Sequence, residues 1–189
     1  MDAEDLLRTG RLNDTLEALE SEVRADPANA KLRVFLFQLL AVMGDWKRAL
    51  TQLNTSAELD QMNLLMAQVC RVALNCEALR IQIFAGKRSP LVFGEPDEWI
   101  GWLIQANQLV AEGKYKVSQS LRERAFESAP AIAGTIDHQP FAWIADADSR
   151  FGPVVEAIVD GKYYWIPFTA IKQIQIEEPA DLRDVVWTP

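Results

Sequence analysis

Three similar segments of this chain each begin with a glycine, and their spacing limits the folds open to it. "GRLNDTLEALESEVRADP" begins at Gly10 and "GDWKRALTQLNTSAELDQ" at Gly44, a step of 34 residues. "GKYKVSQSLRERAFESAP" begins at Gly113, 69 residues beyond Gly44 and close to two further steps. Gly10 to Pro27 and Gly113 to Pro130 are each 17 apart, and Gln61 takes the equivalent place in the second segment. Glycine reaches the left-handed conformation of a tight turn, and proline cannot continue a helix. Each segment therefore reads as the second helix of a pair, entered through Gly and stopped at or near Pro.

A period of 34 with this punctuation is the tetratricopeptide signature. In that register Ala49 falls at the small position where paired helices touch. Trp46 and Tyr115 follow the turn glycines by two residues, and Trp102 takes the bulky place early in a first helix. Helices are predicted over 2–9, 12–25, 30–43, 46–59, 62–84, 97–111 and 114–128. The third unit is degenerate. One long helix, Met62–Phe84, runs into "AGKRSPLVFGEPDEW", where two Gly and two Pro mark a loop in place of a second helix.

Stacked helix pairs generate a concave groove. The first-helix positions predicted to face it are Val34, Gln38 and Ala41, then Leu103, Asn107 and Val110. They are mostly apolar with one amide in each set. Such a surface suits an amphipathic helix or short peptide better than a phosphorylated ligand.

Composition narrows the function classes. The net charge is −8 over 189 residues, and residues 137–189 alone hold nine Asp/Glu against four Lys/Arg. An acidic chain without a Lys/Arg stripe is a poor nucleic-acid binder, because phosphate neutralisation drives that affinity. The longest apolar stretch, Val34–Met43, is far shorter than the ~20 residues that span a bilayer. "MDAEDLLR" lacks the pattern of a secretory signal. Cys70 and Cys76 suggest neither a disulfide framework nor a zinc site. The expectation is a cytoplasmic protein with no membrane segment and no metal.

After Pro130 the period changes. "FAWIAD" and "VVEAIVD" are short apolar runs, "KYYWIPF" is aromatic, and "IKQIQIEE" alternates at Ile171, Ile174 and Ile176. Short strands are predicted, with a hairpin between Val154–Val159 and Lys162–Ile166 around Asp160-Gly161. "PADLRDVVW" reads as a helical turn and another short strand. The whole is α+β: a tetratricopeptide-like helical repeat domain over 1–133, then a small, mainly antiparallel β-rich domain over 134–189.

Asp146 and Asp148 would share one face of a strand, a spacing a metal could use. Yet Arg150 takes the third ligand place of an EF-hand-like loop and Phe151 takes its glycine, so that motif fails. His138, the only histidine, sits by Gln139-Pro140 in an expected linker, with no nucleophile motif. The favoured reading is a turn in which both aspartates accept local hydrogen bonds ahead of Gly152-Pro153. The competing one is a metal- or phosphate-dependent enzyme using Asp146, Asp148 and Glu156.

This same stretch resembles the ImpE/TagJ family. Its pattern D-x-D-x-R-x-G-P-V-x-E is met by Asp146, Asp148, Arg150, Gly152, Pro153 and Glu156. G-x-Y-x-W-x-P-F is met by Gly161, Tyr163, Trp165, Pro167 and Phe168. P-x-D-L-R-D-x-x-W is met by Pro179, Asp181, Leu182, Arg183, Asp184 and Trp187. The N-terminal "LLRTGRLNDTLEALESEVRADPANAKLRVFLFQLLAVMGDWKRA" is also similar to the family's opening. Family members run beyond the W-x-P that ends this chain, so the C-terminal region is expected to be truncated relative to them.

The resemblance implies a non-enzymatic, cofactor-free accessory protein of bacterial type VI secretion. It further implies an adaptor that binds the N-terminal helix of the sheath subunit TssB and is linked through it to the disassembly ATPase ClpV. The motif residues, mainly Gly, Pro, Asp and aromatics, are expected to be structural. A general scaffold or chaperone built on helical repeats is a further alternative.

Overall fold

The computed structural model describes residues 2–189. Among these residues it contains eight helices and five strands, and the fold is α+β. By packing, the chain forms two compact units, Met1–Asn75 with Gln175–Pro189, and Cys76–Ile174.

The first unit contains α1 (Ala3–Arg8), α2 (Leu12–Ala25), α3 (Ala30–Val42) and α4 (Trp46–Leu59). It also holds the first part of α5 (Leu64–Phe84) and the short α8 (Leu182–Val186). Side chains cap these helices where the sequence offers them: Asn29 accepts from Lys31 and Leu32 N–H, and Asp45 from Arg48 N–H. Leu19, Phe37, Leu39, Ala49 and Leu53 are fully buried between α2, α3 and α4, with Ala67, Cys70 and Leu74 of α5 in the same core.

The turn glycines behave as their spacing requires. Gly10, Gly44 and Gly113 have φ of 73°, 75° and 74°. At each, two successive N–H groups close back onto the preceding helix. Gly44 donates to Ala41 and Asp45 to Leu40; Gly113 donates to Val110 and Lys114 to Leu109. This is the Schellman closure of a helix C-terminus. Gly86, after α5, makes the same pair of bonds with φ 69°. The third unit therefore keeps its turn and loses its second helix: Pro90 follows, and Leu91–Val92 becomes a strand, β1. The loop expected over 85–96 thus contributes a strand.

The second unit joins the rest of α5 to a helix pair, α6 (Glu98–Ala111) and α7 (Tyr115–Ser128). Ser118 Oγ donates to the Ala106 carbonyl at 2.8 Å, tying α7 to α6. Next come the hairpin β2 (Gly134–Ile136) and β3 (Gln139–Phe141), then β4 (Val154–Val159) and β5 (Lys162–Pro167). The three-stranded sheet has the order β1-β5-β4, with β5 antiparallel to β4 and parallel to β1. Asp160 and Gly161 both have positive φ, the requirement of a two-residue type I′ hairpin.

Four expectations fail in the last third. "IKQIQIEE" forms no strand, and Ile174 and Ile176 are exposed. Alternation creates a strand only where a neighbour supplies hydrogen bonds, and this segment pairs with none of the five strands. "FAWIAD" gives only the end of β3 at Phe141 before the chain turns irregular. The strand expected after "PADLR" is absent because Val185 and Val186 continue α8, and Trp187 lies by Trp46 with ring centroids 6.2 Å apart. His138 is no linker residue: it and Asp137 form the positive-φ turn between β2 and β3.

Candidate functional site

The motif residues build a connected network on one face of the β4–β5 hairpin. Alternation along β5 turns Tyr163, Trp165 and Pro167 inward, and Tyr163 and Trp165 are buried. Trp165 Nε1 donates to the Tyr163 hydroxyl at 2.9 Å, and that hydroxyl donates to Glu156 of β4. Glu156 takes a two-pronged bond from Arg80 of α5, with distances of 2.6 and 3.0 Å. Burial, and next the bond to Glu156, push the Tyr163 phenol far above its ordinary range, so it stays a hydrogen-bond donor. The Glu156 bond raises the Arg80 guanidinium in turn.

Arg80 and Arg150 both lie over the Phe84 ring, at 4.9 and 4.2 Å from its centroid. Asp148 holds Arg150, with Nε 2.8 Å from Oδ2, and accepts the Arg150 backbone N–H at 2.9 Å. Asp146 accepts the Asp148 N–H at 2.7 Å, and its own N–H donates to the Gly152 carbonyl at 2.7 Å. The two aspartates shape the turn before Pro153. A Cβ on Gly152, where φ is +59°, would lie 2.2 Å from Phe126 Cε1, so only glycine lets that ring come so close.

The third motif segment lies in the first unit. Asp181 caps α8 through the Arg183 N–H and pairs with the Arg183 guanidinium, Nε to Oδ2 being 2.8 Å. Arg183 lies beside the buried Cys70 thiol, which burial pushes up. Asp184 accepts the Ala180 N–H at 2.8 Å, and Leu182 is half-buried at the start of α8. Among the described residues no three His, Cys, Asp or Glu groups stand together as a metal set. Asp148 and Glu156 are each engaged by an arginine.

Arg150 holds Asp148, and Arg183 holds Asp181, below the usual carboxylate range. Depressed carboxylate values give stability that is complete above the unfolded-state value near 4 and lost as pH falls through the folded-state value. Asp148→Asn is expected to cost about 1 kcal/mol at neutral pH, the scale of a weakened local hydrogen bond. Its urea midpoint should then fall less steeply than the parent's below about pH 4. Equal acid slopes, or micromolar Mg²⁺, Ca²⁺ or Mn²⁺ binding that disappears in the variant, would overturn the turn role.

The six groove positions fall in different surroundings. Ala41, Leu103 and Asn107 are 1%, 0% and 4% exposed, within the cores of their units; Val34, Gln38 and Val110 are half-buried. The Asn107 side-chain nitrogen has no acceptor among the described residues. Val34, Gln38 and Ala41 belong to the first unit and the other three to the second.

A different surface stands open on the first unit. Met62, in the 3-10 turn leading into α5, and Leu65, Val69 and Val72 of α5 are 87%, 73%, 64% and 36% exposed. Their spacing of 3, 4 and 3 places them on one helical stripe, opposite the buried Ala67, Cys70 and Leu74. Residues 61–70 contain no charged side chain. The sequence carried this signal as two interleaved apolar stripes on one helix, but the repeat register drew attention to α3 and α6 instead.

A family model described as ImpE protein matches residues 138–189. The chain is 54% identical over 189 residues to the type VI secretion system accessory component TagJ of Pseudomonas aeruginosa, an alignment covering all of this chain and 67% of that protein. It is also similar to the crystal structure of protein VPA1032 from Vibrio parahaemolyticus, with a TM-score of 0.91 and 26% identity over 98% of this chain and 70% of the other. With its three signature segments in place and this identity along its whole length, the chain belongs to the ImpE/TagJ family.

Proposed function

We propose that the chain is a non-enzymatic adaptor of bacterial type VI secretion that acts in the cytoplasm. It docks an amphipathic helix, the N-terminal helix of the sheath subunit TssB, and so assists ClpV-linked sheath turnover. Identity to an accessory component of that system supports the general role. In this reading residues 1–133 are the docking domain, and residues 134–189 form a β-rich domain whose motif side chains hold it together.

The observation that carries the docking claim is the bare stripe of Met62, Leu65, Val69 and Val72. Four apolar side chains at helical spacing, free of charge, match the face of an amphipathic helix. Interface energy concentrates in a few central, desolvated contacts, and a charge placed there is left without water or a partner. The double substitution Leu65→Glu/Val69→Glu is therefore expected to weaken binding of a TssB N-terminal peptide at least a hundredfold, about 2.7 kcal/mol. Both side chains are exposed, so the fold should persist. Val34→Glu and Val110→Glu test the concave groove in the same titration. Loss of binding in those variants alone moves the helix to the groove, and no binding by the parent chain leaves a general scaffold.

A further inference from the structure

A cavity of about 390 Å³ opens between the end of α7 and the motif loop, with Phe126, Pro130, Trp143, Ile144, Asp146 and Pro153 in its lining. That volume lies in the range of pockets that hold small ligands, roughly 300–1,000 Å³. Its walls are mainly apolar. Asp146 is the only ionisable residue in the lining, and Ser149 the only other polar side chain.

Two features of this cavity are shaped for a cation. Asp148 is neutralised by Arg150, whereas Asp146 has no cationic partner among the described residues. The Asp146 carboxylate is nonetheless fixed in place: Oδ1 accepts the Asp148 N–H, and the Asp146 backbone is tied to Gly152. Oδ2 is left without a bond, at an exposed position. In the same lining Trp143 is 68% exposed, so its indole is open to a ligand. A large exposed aromatic and a fixed anion in the lining of a mainly apolar hollow select a positive group on an apolar stem.

We infer that this cavity is a recognition pocket for a basic side chain of a partner protein, arginine in particular. A guanidinium can lie flat on the indole while its N–H groups reach the carboxylate, and its methylene stem covers the proline and alanine wall. Arg124 already lies 3.9 Å over the Trp102 ring elsewhere in this unit, so the chain uses the same pairing internally. The charge in the lining, Asp146, supplies the complementarity such a ligand needs. The pocket is built wholly from residues 126–153, and the inference does not rest on the α5 stripe.

The test uses ¹⁵N-labelled protein titrated with N-acetyl-arginine amide and, in parallel, with N-acetyl-citrulline amide, its uncharged isostere. The Trp143 indole N–H and the Ala145 and Ala147 amides are expected to shift saturably with the arginine probe at millimolar concentration, and at least tenfold more weakly with citrulline. Asp146→Asn keeps an oxygen for the Asp148 N–H, so the fold should stand, and should weaken the arginine probe at least tenfold, about 1.4 kcal/mol. Trp143→Ala, at an exposed site, should weaken it similarly by the amide reporters. No saturable shift in the parent, an equal response to citrulline, or an unchanged response in Asp146→Asn would each overturn the assignment.

Discussion

Leu103→Asp is expected to unfold the Cys76–Ile174 unit, at a cost above about 4 kcal/mol. Leu103 is 0% exposed in the core that also holds Trp99, Ile100 and Ala125. Truncating a buried leucine alone costs about 2–5 kcal/mol, and a carboxylate there loses its water without gaining a partner. Ionised or protonated, it strands a polar group against apolar walls. The read-out is thermal unfolding followed by circular dichroism, with Leu103→Met as the volume-conserving control expected to cost less than about 1.5 kcal/mol. A soluble Leu103→Asp protein that melts within about 2 °C of the parent would show that the side chain faces solvent, and would return it to the candidates for partner contact.

Trp165→Ala is expected to cost roughly 3–5 kcal/mol, the scale of a large core deletion. Trp165 is fully buried at the centre of β5, with its ring 5.2 Å from Phe151 and 6.5 Å from Phe84. Its removal opens a hole beside two aromatic rings and also takes away the N–H that the Tyr163 hydroxyl accepts. Trp165→Phe keeps most of the packing and loses that bond, so about 1–2 kcal/mol should be lost. Urea unfolding of both variants separates the two contributions. Equal losses would mean that the hydrogen bond dominates, and no loss in either would place the residue on the surface.

That Tyr163 and Trp165 share a face was legible because strand alternation fixes it, whatever the rest of the fold does. The helix pairs were legible for a similar reason. Gly10, Gly44 and Gly113 each need a positive φ that other residues rarely adopt, so the turn is written in the residue type itself. Even the degenerate third unit left its mark at Gly86. What followed Gly86 was not legible: Leu91 and Val92 are too few to signal a strand, and only β5 beside them makes them one.

The same division runs through the candidate sites. Sequence by itself determined the α+β order, the helix boundaries to within a residue or two and the Asp160-Gly161 hairpin. It also determined the local character of Asp146 and Asp148, because each of these follows from contacts a few residues apart. Tertiary structure alone decided that Leu103 and Asn107 are core and that Met62, Leu65, Val69 and Val72 are bare. It alone brought Arg80 to Glu156 across 76 residues and put Trp143 and Asp146 in the lining of one cavity with Phe126. It also decided that "IKQIQIEE" stays unpaired. The physical reason is common to all of them. A residue's periodicity says that a face exists, but burial and strand pairing depend on what another part of the chain brings against that face.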